Sequence, residues 1–127
     1  MRLALDSNSY TDLCRGDTPT VDLVEQALAV FLPLVVLGEL RAGFSLGRHG
    51  VENERTLGRF LRRPGVQALC PDEETTHRYA ATYRQLRHQG TPIPTNDMWI
   101  AALVLQHDLV LLARDRHFDH LPQLRRA

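Results

Sequence analysis

The stretch Ile93–Asp115, IPTNDMWIAALVLQHDLVLLARD, contains the two patterns that decide the fold. Its first half has apolar residues at helical spacing, and Thr95 or Asn96 can cap a helix that begins at about Asp97. Its second half, Leu109–Ala113, is a continuous apolar run between polar residues, which is typical of a strand buried on both faces. The stretch therefore predicts a helix that leads directly into a buried strand.

The rest of the chain alternates between strands and helices in the same way. Apolar runs predict strands at residues 2–5, 29–32 and 66–70, and the tail from residue 118 can supply a fifth edge strand. Helical spacing and caps predict further helices at about 18–28, 33–47, 52–63 and 72–90. Parallel neighbours require crossover connections, so we expect an α/β protein in one domain, residues 1–127. Its architecture should be a three-layer α/β/α sandwich with a central, mainly parallel sheet of four to five strands.

Composition excludes several classes of protein. Fifteen basic residues, all Arg, balance fifteen acidic residues, so the chain lacks the strong positive field of a free-standing nucleic-acid binder. The apolar run at the N-terminus is too short for a signal peptide or a membrane span, which predicts a cytoplasmic protein with no membrane contact. Cys14 and Cys70 have neither metal-site nor disulfide spacing, and we expect both to be ordinary buried thiols.

Four carboxylates lie where such a sheet would place a ligand. Asp6 and Asp115 follow predicted strands, and Glu39 and Asp97 lie in the first halves of predicted helices. Clustered carboxylates repel one another unless a hard divalent cation such as Mg²⁺ holds them together. Such a cation lowers the pKa of bound water and polarises a phosphoryl oxygen, which suits phosphodiester hydrolysis. Each acid alone also has a structural explanation, such as complementing a helix dipole.

Three segments carry these acids in a recognisable order: LALDSNSY at residues 3–10, VFLPLVVLGELRAG at 30–43, and IPTNDMWIAALVLQHDLVLLARDRHFDHLPQL at 93–124. Together they resemble the PIN-domain ribonucleases, and within them the VapC toxins of bacterial toxin–antitoxin pairs. The resemblance covers essentially the whole chain and maps the family's acids onto Asp6, Glu39, Asp97 and Asp115.

The resemblance implies a PIN-like fold and a metal-dependent endoribonuclease activity. The four acids would hold Mg²⁺, or Mn²⁺, and generate the nucleophile that cuts RNA, with tRNA or another structured RNA as the substrate. It also implies a cognate VapB-like antitoxin that inhibits the enzyme, and a homodimer.

The chain departs from the family pattern after its last strand. The common T-x-D-x-D-F ending appears here as ARDRHF, so the Thr is missing and His117 replaces the second acid. Asp119 is a candidate to replace this missing second acid in part.

Other side chains near the acids are candidates for supporting roles. Ser7, Asn8 and Asn96 can orient a ligand carboxylate or a bound water, although turn and cap chemistry explains them equally well. Arg114 and Arg116 can steer an RNA backbone, with solvated loop arginines as the simpler explanation.

Two alternatives compete with an active nuclease. One is a catalytically inactive PIN-like module that binds RNA or a protein partner, but all four acids are present. The other is a receiver-like regulatory domain, which by analogy needs a Lys at a later strand tip. This chain contains no Lys, so the nuclease is the favoured interpretation.

Overall fold

The computed structural model describes residues 1–127 and contains a five-stranded sheet with helices on its faces. The strands are β1 (Arg2–Leu5), β2 (Ala29–Pro33), β3 (Val66–Leu69), β4 (Val110–Leu112) and β5 (Arg125–Arg126). The α-helices are α1 (Ser7–Cys14), α2 (Thr18–Gln26), α3 (Leu34–Leu46), α4 (Gly50–Leu61), α5 (Glu73–Gln89) and α6 (Thr95–Gln106), and a 3₁₀ turn spans Arg116–His120. No helix is both long and apolar enough to cross a membrane.

All strand pairs are parallel, in the order β3-β2-β1-β4-β5. The predicted three-layer α/β sandwich is therefore confirmed, and the tail supplies the fifth strand that the sequence allowed at the edge. This strand is only two residues long, and its Arg125 and Arg126 pair with Val110 and Leu111. The tail carries no apolar run at this point, so the sequence pattern alone does not predict this strand.

The centre of the sheet forms the core of the molecule. Leu3, Leu5 and Leu111 on the neighbouring strands β1 and β4 are completely buried. Helix α6 is buried along most of its length, from Met98 to Val104, and packs against α5 and α3. A helix enclosed in this way needs apolar side chains on most of its faces, as the sequence of α6 provides.

Two local expectations were wrong. Both cysteines are exposed: Cys14 ends the short helix α1, and Cys70 follows the edge strand β3, which is only partly buried. Helix α6 begins at Thr95, and its N-cap residue is Pro94, so neither Thr95 nor Asn96 caps it. Pro94 has an extended backbone there, and no side chain caps the helix with a hydrogen bond.

The junction between α3 and α4 depends on a glycine. A Cβ added to Gly50 would lie 2.6 Å from the carbonyl oxygen of Phe44, and this backbone atom cannot move aside freely. Gly50→Ala should therefore lower the free energy of unfolding by about 1–3 kcal/mol. Gly43→Ala, inside α3 with nothing within 4 Å, should raise it by about 0.5–1 kcal/mol. Urea denaturation of both variants tests the contact, and a stability change of the same sign in both would contradict it.

Candidate metal centre

The first two acids lie at the carboxyl ends of neighbouring strands. Asp6 follows β1 and caps α1, where its Oδ1 accepts a hydrogen bond from the Ser9 backbone N–H at 2.8 Å. Asp115 follows β4 and caps the 3₁₀ turn, accepting from the His117 backbone N–H at 2.9 Å. The chain runs from β1 to one side of the sheet and from β4 to the other, so both acids lie at the switch point where ligands bind in such folds.

The other two acids come from helices packed beside this switch point. Glu39 lies in the first half of α3, and Asp97 lies in the first turn of α6. The two helices contact each other, which brings their carboxylates toward the strand ends. Asp6 is buried, and the Asp97 side chain is only 15% exposed. A carboxylate with so little access to water is stabilised by hydrogen bonds, by a neighbouring positive charge or by protonation.

The four acids are close enough for the charge of one to change the pKa of another. Burial is the largest cause that raises the pKa of Asp6, of Glu39 and of Asp97. The charge of Asp115 further raises the pKa values of Asp6 and Asp97, and the charges of Asp97 and Asp6 further raise that of Glu39. Oxygen donors gathered in this way match the ligands that Mg²⁺ and Mn²⁺ accept. The residues present therefore fit a hard divalent cation.

His117 belongs to the same group, in the position where the family pattern has a second acid. Its Nδ1 lies 2.9 Å from Asp97 Oδ2 and 3.1 Å from Asp115 Oδ1. Ligand atoms of these three residues all lie within 4.8 Å of one another. The substitution of His for an acid therefore places a nitrogen donor among the carboxylates.

The polar residues predicted to support the acids fall into two sets. Contacts from Asn96 and Ser7 with the Glu39 carboxylate lower the pKa of Glu39 and oppose the effect of its burial. Asn8, by contrast, is exposed on α1. Asp119 is not brought into the cluster, because its carboxylate pairs with Arg126 and is 59% exposed.

The two arginines predicted to contact RNA are both exposed, but only Arg114 forms an ion pair with a carboxylate. Arg114 donates from Nε and Nη2 to the Asp12 carboxylate, at 3.1 and 3.3 Å. This contact raises the pKa of Arg114, and a smaller effect comes from the charge of Asp6, so Arg114 lies at the rim of the cluster. Arg116 forms no ion pair.

Sequence reasoning missed Arg126, which supports the loop that carries Asp115. Its Nη2 donates to the carbonyl oxygens of Ala113 and Asp115, at 2.5 and 3.1 Å. Its guanidinium also lies 5.9 Å from the centre of the Phe118 ring. The pairing of β5 with β4 brings Arg126 to this loop, and no local motif in the tail signals that pairing.

A parallel α/β sandwich with acidic side chains gathered near its switch point is an arrangement that suits a metal-dependent phosphodiester-cleaving enzyme. The chain belongs to the PIN-domain family, whose model matches residues 3–124. This membership confirms the family resemblance and removes the receiver alternative.

Individual relatives agree with this assignment. The chain is 29% identical over 91 residues to Ribonuclease VapC4 of Mycobacterium tuberculosis (strain ATCC 25618 / H37Rv), covering 72% of this chain and 70% of that protein. Among solved structures, VapBC-1 from nontypeable Haemophilus influenzae superposes with a TM-score of 0.88 at 24% identity, covering 100% of this chain and 97% of the other. VapBC2 from Rickettsia felis, bound to a DNA fragment from its promoter, gives 0.86 at 20% identity, covering 100% and 98%. At these identities the structural matches establish the shared fold.

Proposed function

We propose that this protein is a metal-dependent endoribonuclease toxin of the VapC type, acting as a single domain that spans residues 1–127. The observation that carries the proposal is the group of acidic residues near the switch point of the sheet. Ligand atoms of Asp97, Asp115 and His117 lie within 4.8 Å of one another, and the charges of Asp97 and Asp6 raise the pKa of Glu39. The named activity of the Mycobacterium relative, a ribonuclease, supports RNA as the substrate. Mg²⁺ is the proposed cofactor, and Mn²⁺ is a possible replacement.

The chain's own residues divide the catalytic work. A bound divalent ion supplies a polarised water and neutralises charge on the phosphoryl oxygens. Asp6, fixed by the Ser9 N–H, and Asp115, fixed by the His117 N–H, are rigid donors for that ion. Asp97 completes the set from α6. Glu39 is the candidate to accept a proton from water, because its raised pKa brings it closer to neutral pH.

The substrate and partners follow from the same family. We propose a structured RNA such as tRNA as the substrate, with Arg114 and Arg116 at the rim of the acids to contact its backbone. A VapB-like antitoxin is the proposed inhibitor, since the solved relatives include VapBC complexes. A homodimer in the cytoplasm is proposed from the family alone.

One observation favours a second candidate, a PIN-like module that binds RNA or a protein without cutting. His117 stands where the family pattern has an acid, and its ring contacts two of the proposed ligands.

Purified protein incubated with total RNA and tRNA in Mg²⁺, Mn²⁺ or EDTA separates the two candidate functions. Discrete fragments that require metal support the nuclease, and intact RNA with every metal, alongside normal antitoxin binding, supports the module.

Arg126 offers a separate test of the loop that holds Asp115. Arg126→Ala removes the donor to the Ala113 and Asp115 carbonyls, so Asp115 should lose its fixed orientation. We expect the affinity for Mn²⁺, measured by calorimetric titration, to fall about 10-fold or more, as for other residues that orient metal ligands. Arg125→Ala is the matched control, because Arg125 pairs with the exposed Asp108. Equal Mn²⁺ affinity in the two variants would rule out the positioning role.

A further inference from the structure

We infer that His117 is a nitrogen ligand of the metal ion, and that it shifts the centre's preference away from Mg²⁺ toward divalent transition metals. The inference rests on the proposed function, because it requires an ion at the four acids. It goes further by assigning a ligand and a metal preference to the one position at which this chain departs from the acidic pattern.

The distances around His117 match those between ligands of one ion. In an octahedral site with bonds of about 2.1 Å, neighbouring ligand atoms are about 3.0 Å apart. His117 Nδ1 lies 2.9 Å from Asp97 Oδ2 and 3.1 Å from Asp115 Oδ1. Without metal, the same spacing allows Nδ1–H to bond to the carboxylates. To bind an ion through Nδ1, the neutral ring would carry its proton on Nε2, and Nδ1 and the two oxygens would then be the residues' donors to that ion.

The backbone of His117 is held by the same turn that carries Asp115. The His117 backbone N–H donates to Asp115 Oδ1 in the first residues of the 3₁₀ turn. The next residue, Phe118, is only 1% exposed and anchors the turn in the core. The His117 side chain itself is 45% exposed, so a modest rotation can adjust its bond to a metal ion.

The chemistry of the ring decides the direction of the preference. Mg²⁺ selects oxygen ligands and gives up its water reluctantly, so a nitrogen donor adds little to its binding. Imidazole binds divalent transition metals more strongly than it binds Mg²⁺, and this advantage is smallest for Mn²⁺ and increases through Co²⁺ and Ni²⁺ to Cu²⁺. Replacing the family's acid with His therefore penalises Mg²⁺ more than it penalises Mn²⁺ or Co²⁺.

The ligand can be detected directly with Mn²⁺ as the probe. Pulsed electron paramagnetic resonance of the Mn²⁺-loaded protein should show ¹⁴N modulation from a bound imidazole. The signal should disappear in His117→Asn and persist in His120→Asn, a matched control because His120 lies exposed in the same turn. His117→Asn should also weaken Mn²⁺ binding about 10-fold or more. His117→Asp, which restores the family's acid, should lower the ratio of Mn²⁺ to Mg²⁺ affinity, measured by competition.

The outcomes separate this inference from the proposed function. If Mn²⁺ binds to the wild type and not to Asp97→Asn, but no ¹⁴N modulation is present, His117 is not a ligand and the carboxylate centre stands. An unchanged affinity ratio in His117→Asp would overturn the metal preference. If Mn²⁺ does not bind to the wild type at all, both proposals fail. The measurement on the wild type decides ligation even if a variant does not fold.

Discussion

Asp97→Asn should abolish metal-dependent RNA cleavage, with a rate loss of about 10³-fold, as when a group that stabilises transition-state charge is removed. Asp97 contacts His117, and its pKa responds to the charges of both Asp115 and Asp6, so it lies centrally among the acids. The Asn amide keeps the shape of the side chain but removes the charge that a cation needs. Initial rates on tRNA and total RNA, with Mg²⁺ or Mn²⁺, measure the effect.

The control for this prediction makes the same chemical change far from the acids. Asp22→Asn alters an exposed residue on α2 and should leave the cleavage rate within a few-fold of the wild type. Circular dichroism should show that both variants are folded. A folded Asp97→Asn protein that cuts RNA at the wild-type rate would remove Asp97 from the mechanism.

The sequence predicted the architecture because strong patterns coincide with the buried elements. The run Leu109–Ala113 contains β4, and the apolar residues after Asp97 form the enclosed helix α6.

Helix α5 shows the limit of predicting burial from apolar spacing. Its apolar residues Ala80 and Tyr83 are exposed, whereas the polar residues Thr75 and Thr82 are buried. The Thr75 hydroxyl bonds to the Gln106 side chain, so this polar residue is satisfied inside the molecule.

The candidate site was predictable only in part, because its members come from four separate segments. The family resemblance supplied the order of the acids. The structure places Asp97 and Asp115 in one cluster with His117, and Asp6 and Glu39 are near enough to interact with them through their charges. Their roles as metal ligands remain a prediction. The contacts of Arg126 with the carbonyls of this loop depend on a two-residue strand pairing, a long-range event without a local pattern.

The acid group should also shape how stability depends on pH in the metal-free protein. The folded pKa values of Asp6, Glu39 and Asp97 are raised, so the folded chain binds more protons than the unfolded chain as these groups titrate. The stability that the fold gains by holding these protons is complete below the unfolded pKa of about 4. It is lost as the pH rises through the folded pKa values. At pH 7 without metal, the charged cluster therefore opposes folding. Asp97→Asn should then be more stable than the wild type at pH 7, with a smaller difference at pH 4.

A divalent ion should reverse this penalty in the wild type. An ion that binds only the folded state, at 100 times its dissociation constant, adds about 2.7 kcal/mol, which corresponds to a rise in Tm of roughly 5–15 °C. Asp97→Asn lacks the central carboxylate, so the same concentration of Mg²⁺ or Mn²⁺ should raise its Tm far less. Thermal unfolding of both proteins at pH 7, in EDTA and in each metal, tests the prediction. Equal metal-induced shifts in the two proteins would mean that the ions stabilise the fold from somewhere other than these acids.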